Sequence, residues 1–430
     1  MNALNQAFEK LNHLIFDTSF KERFRRSPQD FSRKRCLTFS ITVLTILDLA
    51  KNSLQIHLNA VFASRNIKPI TKQAFSLSRQ KITWEAFRAL NETVIYNFYE
   101  DPGIRFFKGK YLILAIDGSS FNLPNTKELA SFFGKHRNQS SENIIGRVSV
   151  LYDVLNRITL DIRVASFKTS EKELALQHIE WLMDFRKKTK KKIIIVFDRG
   201  YPSVGFFLLL KKLGIGFVCR AHRSIRQNIL KKLNQKNEDS RLDLKAGPRP
   251  YQRKKVATWL RLLPKQIESY TCKLRCAKEG DFLLLTNLFS KTTFNYKDLK
   301  KIYAMRWGVE TNYRTIKVDT LLENFSGKKL LAIFQEIHAA VLVQNLARVF
   351  EYDLFVRRKS LGVRSQPNHR EVLGIIKLAI SQLYEKGLQS LKTLLALIRP
   401  KWGKIKLRRT YPRRSLKGAV RSRLGRLCYA

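Results

Sequence analysis

YLILAID, residues 111–117, is an unbroken apolar run closed by a carboxylate, and KIIIVFD, residues 192–198, repeats the arrangement. Continuous apolar runs of this length read as strands buried on both faces of a sheet. An acid at the end of such a strand is costly unless it is exposed at the carboxyl edge, paired, or bound to a cation. Open sheets place their ligands outside that edge. For either Asp alone the ordinary alternative is a turn or a helix cap, since Asp117-Gly118 and Asp198-Arg199-Gly200 are both turn-like. As a pair on two strands of one sheet, Asp117 and Asp198 suit Mg²⁺, a hard cation that takes oxygen ligands.

Working outward, GRVSVLYDVL and TLDIRVAS alternate as two further strands, and Glu171–Lys188 has helical period. Ser203–Leu213 reads as a short helix and Phe217–Ala221 as a strand. Three strands, helix, strand, helix, strand predicts an α/β fold with a mixed sheet and helices packed on it. Residues 222–280 break the rhythm. Lys-rich sequence (Lys231–Lys245) precedes alternating stretches at Lys254–Leu262 and Ser269–Ala277, which predict a β-rich insertion. Phe282–Leu288 resumes a buried strand. Residues 1–105 read as helical, with Phe39–Phe62 one helix and Thr71 the N-cap of another running through Phe75, Ile82 and Phe87. Residues 328–398 are helical again.

Charge narrows the function. The 430 residues carry 82 Lys and Arg against 34 Asp and Glu, a net +48. Such self-repulsion destabilises a compact state unless a polyanion screens it, so the expected partner is nucleic acid, with an anionic membrane surface second. A disordered polycation is excluded by the 44% hydrophobic residues. No apolar run approaches the roughly 20 residues that span a bilayer, and the N-terminus shows no signal peptide. The five cysteines lack a second Cys or His pair at zinc spacing, so free thiols in a reducing compartment are expected. Seven basic residues lie between Lys21 and Arg35, and eleven in the acid-free segment 401–430. The first group leaves two readings open, a DNA-docking helix-turn-helix or a helical bundle with a basic face.

The most informative stretch is Asn295–Lys317, read as one helix. At about 100° per residue, Tyr303, Arg306, Glu310 and Lys317 gather in one arc of about 60°. Ile302, Met305, Val309 and Ile316 form an apolar stripe beside it. By geometry alone, Arg306 and Glu310 are a surface i,i+4 ion pair worth a few tenths of a kcal/mol.

YAMRWGVETNYRTIK (Tyr303–Lys317), preceded by AIDGS (Ala115–Ser119) and VFDRGY (Val196–Tyr201), resembles the Tyr-x2-Arg-x3-Glu-x6-Lys signature and two acidic blocks of DDE transposases of bacterial insertion sequences, of the insertion-sequence-four type. The resemblance spans most of the chain as layout and three blocks as motif. It implies a ribonuclease-H-like catalytic core (106–221 and 281–325) interrupted by the β-rich insertion (222–280). A helical DNA-binding region (1–105), a helical C-terminal region (326–400) and a basic tail (401–430) complete the implied layout. It implies that Asp117, Asp198 and Glu310 form a catalytic triad holding two divalent ions, Mg²⁺ with Mn²⁺ able to substitute. Tyr303, Arg306 and Lys317 would contact DNA phosphates. The partners implied are double-stranded DNA, as transposon ends and target, and a second copy in a synaptic homodimer, in a bacterial cytoplasm with no membrane role. Trp307 or Trp259 could stack on a flipped base, although a core Trp is commoner.

Competing readings are a metal-dependent nuclease without strand transfer and a non-catalytic DNA-binding derivative. Other ionisable residues have ordinary explanations: His136 in a solvated polar loop, Glu171 and Glu173 in helix capping and the helix dipole, and Arg186–Lys192 as a basic helix end. Nothing in the spacing of Asp319 and Glu323 singles them out.

Overall fold

Strand β1 (Tyr111–Leu123) is central, and its alternation decides what each face of the sheet carries. In the computed structural model, Leu112, Leu114 and Ile116 pack with the N-terminal helices, while Ile113 and Ala115 face the opposite layer. The structure describes residues 3–49, 53–63, 68–138, 141–201, 203–221, 229, 237–245, 257–258, 271–280, 282–359, 365–383 and 402–404. Trp259, Cys428, the segment 254–256 and 259–262, and the basic tail beyond 404 lie outside the described residues.

The chain enters through six helices, α1 (Ala3–Phe16), α2 (Thr18–Phe24), α3 (Phe39–Leu47), α4 (Leu54–Ala63), α5 (Lys72–Arg79) and α6 (Glu85–Tyr99). After β1 come α7 (Lys127–Phe133), β2 (Lys135–Asn138), β3 (Ser141–Asp153), β4 (Ile158–Ser166) and α8 (Glu171–Thr189). Then follow β5 (Lys192–Phe197), α9 (Val204–Lys212), β6 (Gly216–Arg220), β7 (Asn237–Lys245), β8 (Thr271–Glu279) and β9 (Phe282–Thr286). The last elements are α10 (Tyr296–Ala304), α11 (Trp307–Arg314), a π-helical turn at Thr315–Asp319, α12 (Leu330–Lys359), β10 (Ser365–Pro367), α13 (His369–Gln382) and β11 (Trp402–Lys404).

The fold is mixed α/β. The sheet runs β2-β3-β1-β5-β6-β9-β8-β7, with β4 also paired to β3. Strands β1, β5 and β6 are parallel, joined by crossovers through α8 and α9, while β3 runs antiparallel beside β1 and β4 antiparallel beside β3. Strands β7 and β8, from the segment expected to be an insertion, extend the same sheet through β9. Helices cover both faces, as a parallel core requires.

Several expectations need correction. The stretch 39–62 is two helices, because Asp48 closes α3 and α4 begins at Leu54. Thr71 does cap a helix, its hydroxyl accepting from the Ala74 N–H, but that helix stops at Arg79 and Phe87 belongs to α6. The basic segment after Phe24 is largely irregular and bridges back to Ile82. Helix α12 contains a 27-residue stretch long and apolar enough to cross a membrane, contrary to the reading of the apolar runs. Burial explains it: 78% of its most apolar window is inside the protein, packed against α6, α1, α3 and α13. His136 sits in strand β2, half-buried against Phe167, and not in a solvated loop.

Candidate active site

Parallel pairing between β1 and β5 runs from Tyr111↔Lys192 to Ile116↔Phe197 and stops there. The next residues are Asp117 and Asp198. They stand side by side at the carboxyl end of two neighbouring parallel strands. Strand β1 does not end at Asp117, as its apolar run suggested; it continues to Leu123 paired with β3 alone. Asp117-Gly118 is therefore strand and not turn. Asp198 does open a turn, closed by Tyr201 N–H donating to the Asp198 carbonyl at 3.2 Å.

The two-residue period of a strand sets the direction of both acids. Asp117 follows Ile113 and Ala115, and Asp198 follows Ile194 and Val196. These residues face the layer that holds Ile302 and Val309 of α10 and α11. Both carboxylates thus point toward Arg306 and Glu310. Arg306 Nη1 donates to Asp117 Oδ2 at 3.2 Å, and Nη2 donates to Glu310 Oε1 at 2.7 Å. One planar guanidinium bridges two acids from distant segments, a geometry Lys could not reproduce.

The segment that presents these residues is not one helix. Met305 and Arg306 interrupt it, and the hydrogen bonds shorten to three-residue spacing: Arg306 N to Tyr303 O, Gly308 N to Met305 O, and Val309 N to Arg306 O. Gly308 lies against Val154 and Tyr152 at the end of β3, where an added Cβ would make only ordinary contacts at 3.4 and 3.7 Å. The apolar stripe holds, with Ile302, Val309 and Ile316 buried. Tyr303, Arg306 and Glu310 gather as the wheel predicted. Lys317 lies apart in the π-helical turn, where Nζ donates to the Ser120 carbonyl at 2.5 Å and sits over the Phe121 ring.

Electrostatics mark the site. Burial pushes the Asp117 carboxyl up to about 6, helped by Asp198 and Glu171, while the Gly118 N–H and Arg306 oppose the shift. Burial alone would lower the Arg306 guanidinium, but the Glu310 hydrogen bond and the charges of Asp198, Asp117 and Glu310 outweigh it and push it up. Burial and the Asp198 charge raise the Tyr303 hydroxyl. Burial lowers the Lys317 ammonium, with Glu323 opposing.

Asp117 is also held from behind. Its carbonyl accepts from Tyr313 Oη at 2.7 Å and from Ser149 Oγ at 3.2 Å. Ser149 in turn contacts the buried His178, whose other nitrogen meets Asp161 at 2.7 Å. None of these four residues stood out in the sequence, because each is an ordinary core polar group until the fold brings it there.

Glu171 is the clearest omission. Glu173 forms the expected capping box with Ser170, but Glu171 reaches over the sheet edge. A Cβ on Gly118 would lie 2.8 Å from Glu171 Oε1, so the missing side chain makes its room. Tyr201 is 1% exposed, its hydroxyl has no hydrogen-bond partner among the described residues, and it feels the charges of Glu171, Asp117 and Asp198. The signal available in the sequence was the glycine directly after Asp117.

The family model described as "Transposase DDE domain" matches residues 108–346, more than half of the chain, from the start of β1 through the helices bearing Glu310. The chain belongs to that family. Within the transposase DDE domain lie Asp117, Asp198 and Glu310, together with Glu171, Tyr201 and Tyr313. The domain is similar to Transposase InsG for insertion sequence element IS4 of Escherichia coli (strain K12), with 25% identity over 244 residues, 55% of this chain. The match takes in 51% of InsG, so the chain spans about half the length of that curated relative. A piggyBac transposase synaptic complex with hairpin DNA superimposes with a TM-score of 0.44 at 11% identity, over 91% of this chain and 85% of that one.

Asp117, Asp198 and Glu310 offer carboxylate oxygens, the ligand chemistry that a hard divalent cation takes. Among the described residues, no three His, Cys, Asp or Glu side chains converge closely enough to share one ion. The Arg306 guanidinium stands between Asp117 and Glu310. Trp307 is 52% exposed beside Arg306, and not a core residue.

Proposed function

We propose that this protein is a DNA transposase that binds transposon terminal inverted repeats, cuts the element free and joins its 3′ ends to target DNA. The observation that carries the reading is the placement of Asp117 and Asp198 side by side at the sheet edge, facing Arg306 and Glu310. Family membership and the +48 charge support it. The strand order, with β3 and β4 antiparallel beside parallel β1, β5 and β6, supports a ribonuclease-H-like core at 106–221 and 281–325. Segment 222–280 is its β-rich insertion, flanked by a helical DNA-binding region (1–105), a helical C-terminal region (326–400) and a basic tail (401–430).

Asp117, Asp198 and Glu310 would hold two divalent ions, Mg²⁺ with Mn²⁺ able to substitute. When bound, such ions would supply the Lewis acidity that in-line displacement at phosphorus needs at the attacking and leaving oxygens. The chain's own residues do the positioning. Tyr313 and Ser149 hold the Asp117 backbone in place. Arg306 exchanges its contact with Asp117 for a DNA phosphate, and this frees the carboxylate. Tyr303 and Lys317 contact the backbone beside it. Two ends are held by a homodimer, and the protein works in the bacterial cytoplasm.

Single replacement of Asp117, Asp198 or Glu310 by Ala should abolish cleavage of an end-bearing duplex and leave its binding largely intact. Unchanged cleavage in any one removes that residue from the triad. Joined product in a supercoiled-target integration assay separates a transposase from a nuclease, which would cleave and not join. Arg306→Ala or Lys317→Ala should weaken end binding and flatten its salt dependence; an unchanged slope argues against phosphate contact.

A further inference from the structure

A cavity of about 810 Å³ lies behind helix α11, on its Gly308 and Asn312 side, away from Glu310. Its other walls are the turn after β3, the C-terminal part of α12 and the start of α13. We propose that this cavity is a second phosphate-binding site, which takes a backbone phosphate of the DNA whose scissile bond lies at the acidic edge. The proposal rests on the DNA-transposase reading and adds a site to it.

Among the described residues, four basic side chains line the space, Arg105, Arg157, Arg348 and His369, and one acid, Glu351. Glu351 is already engaged by Arg348 Nη1 at 2.7 Å and by His369 Nδ1 at 2.5 Å. Positive charge is therefore left over. Arg348 is only 8% exposed, and its Nε has no partner among the described residues. A buried donor without an acceptor is rare and calls for an explanation. A phosphate oxygen would satisfy it, and the Nε2 of His369, also without a partner among the described residues, can donate to the same anion in its imidazolium form.

The two remaining arginines fit the same ligand. Neither Arg105 nor Arg157 has a carboxylate within ion-pair distance among the described residues, and Arg105 rests on the Phe355 ring, 4.4 Å from its centroid. Burial and the charge of Arg157 both pull the Arg105 guanidinium down, so the two cations work against each other until an anion joins them. Arg157 also holds a left-handed backbone, φ 63°, a conformation that glycine or asparagine would adopt more cheaply. The first turn of the 14-residue helix α13 adds its positive end at Asn368 and His369. The volume far exceeds one inorganic phosphate. It suits a length of sugar-phosphate chain, with Tyr352 and Phe355 as apolar wall. Because α11 forms both this wall and the mount of Glu310, one bound duplex can touch both places.

The test uses the full-length protein and a labelled duplex carrying the sequence that flanks the gene. A photo-crosslinking residue is placed at Phe355 (Phe355→p-benzoylphenylalanine) and, in a second protein, at exposed Trp307. Both positions should crosslink. Adding R105E and R157E should cut the Phe355 yield at least tenfold, leave the Trp307 yield within twofold, and reduce the salt slope of binding by roughly 1–2. R105Q and R157Q should act in the same direction, more weakly, with an unchanged melting temperature as the folding control. Crosslinking at Trp307 with none at Phe355 overturns the cavity while the DNA reading stands. So does a Phe355 crosslink unaffected by either double variant. Loss of the Phe355 crosslink on adding inorganic phosphate or a nucleoside triphosphate, with Trp307 unaffected, assigns the site to a free phosphate and also overturns it. Absence of crosslinking at both positions removes the DNA reading itself, and the proposal with it.

Discussion

Asp117 and Asp153 stand on the same antiparallel ladder, three residue pairs apart, and their surroundings differ in kind. Asp153 is fully buried and accepts four hydrogen bonds, from Tyr99 Oη at 2.6 Å, Asn156 Nδ2 at 2.7 Å, and the Leu155 and Asn156 N–H groups at 3.0 Å. It organises the turn between β3 and β4. Asp117 keeps 17% of its side chain exposed and receives one backbone N–H and one arginine. It also faces three other carboxylates, Asp198, Glu171 and, across Arg306, Glu310. The carboxylate that organises a turn is surrounded by donors, and the one we propose for chemistry is left under-satisfied among its own kind.

That contrast can be broken by mutation. Asp153→Ala should be the most damaging, because it strands several buried donors; a loss of roughly 3–5 kcal/mol is expected. Urea denaturation with an unchanged slope would check it, and a loss under about 1 kcal/mol would remove the structural role. Asp117→Asn should behave oppositely. Cleavage should fall by more than about a hundredfold, beyond what an outer-shell partner costs, yet the fold should gain about 1–2 kcal/mol at pH 7.5. The sign follows from the raised carboxyl. Its folded value of about 6 lies above the ordinary range, so ionising it costs stability as pH rises from about 4 to about 6. Removing that charge helps above this window and does nothing below it. A gain that persists at pH 4 would show another cause.

Gly118→Ala sharpens the comparison on the other face. The added methyl would press on Glu171, which can swing away, so stability should change by only about 1 kcal/mol, while cleavage falls further than stability explains. Equal effects in Gly118→Ala and in Gly118→Ala with Glu171→Ala would show that the carboxylate's position is unimportant. Trp307→Ala should be smallest, within about 0.5 kcal/mol in denaturation, as for an exposed site. A larger loss would mean that the ring packs after all.

The legible parts of this protein share a cause. YLILAID and KIIIVFD read correctly because a strand buried on both faces has no polar position to spare. Tyr303, Arg306 and Glu310 read correctly because spacing along a helix survives even a tightened turn. Glu171 does stand in the first turn of its helix, as read, but its approach to Gly118 was not legible because that glycine comes from a distant strand. His136 looked solvated because polar neighbours surround it in sequence, whereas Phe167 comes from the turn after β4. The apolarity of α12 was underestimated because scattered polar residues break its runs, and burial within the helical layers is what accounts for it.

By itself the sequence determined the α/β class, the two acids closing apolar runs, the spacing that gathers Arg306 and Glu310, and the large excess of positive charge. All of these depend on periodicity or charge, which are local or additive. Only the tertiary structure decided that one guanidinium joins Asp117 to Glu310, that Glu171 fills the space above Gly118, and that Arg105, Arg157, Arg348 and His369 share one cavity. Those facts depend on which distant residues the sheet register and the helix packing bring into contact, and no local pattern carries that information.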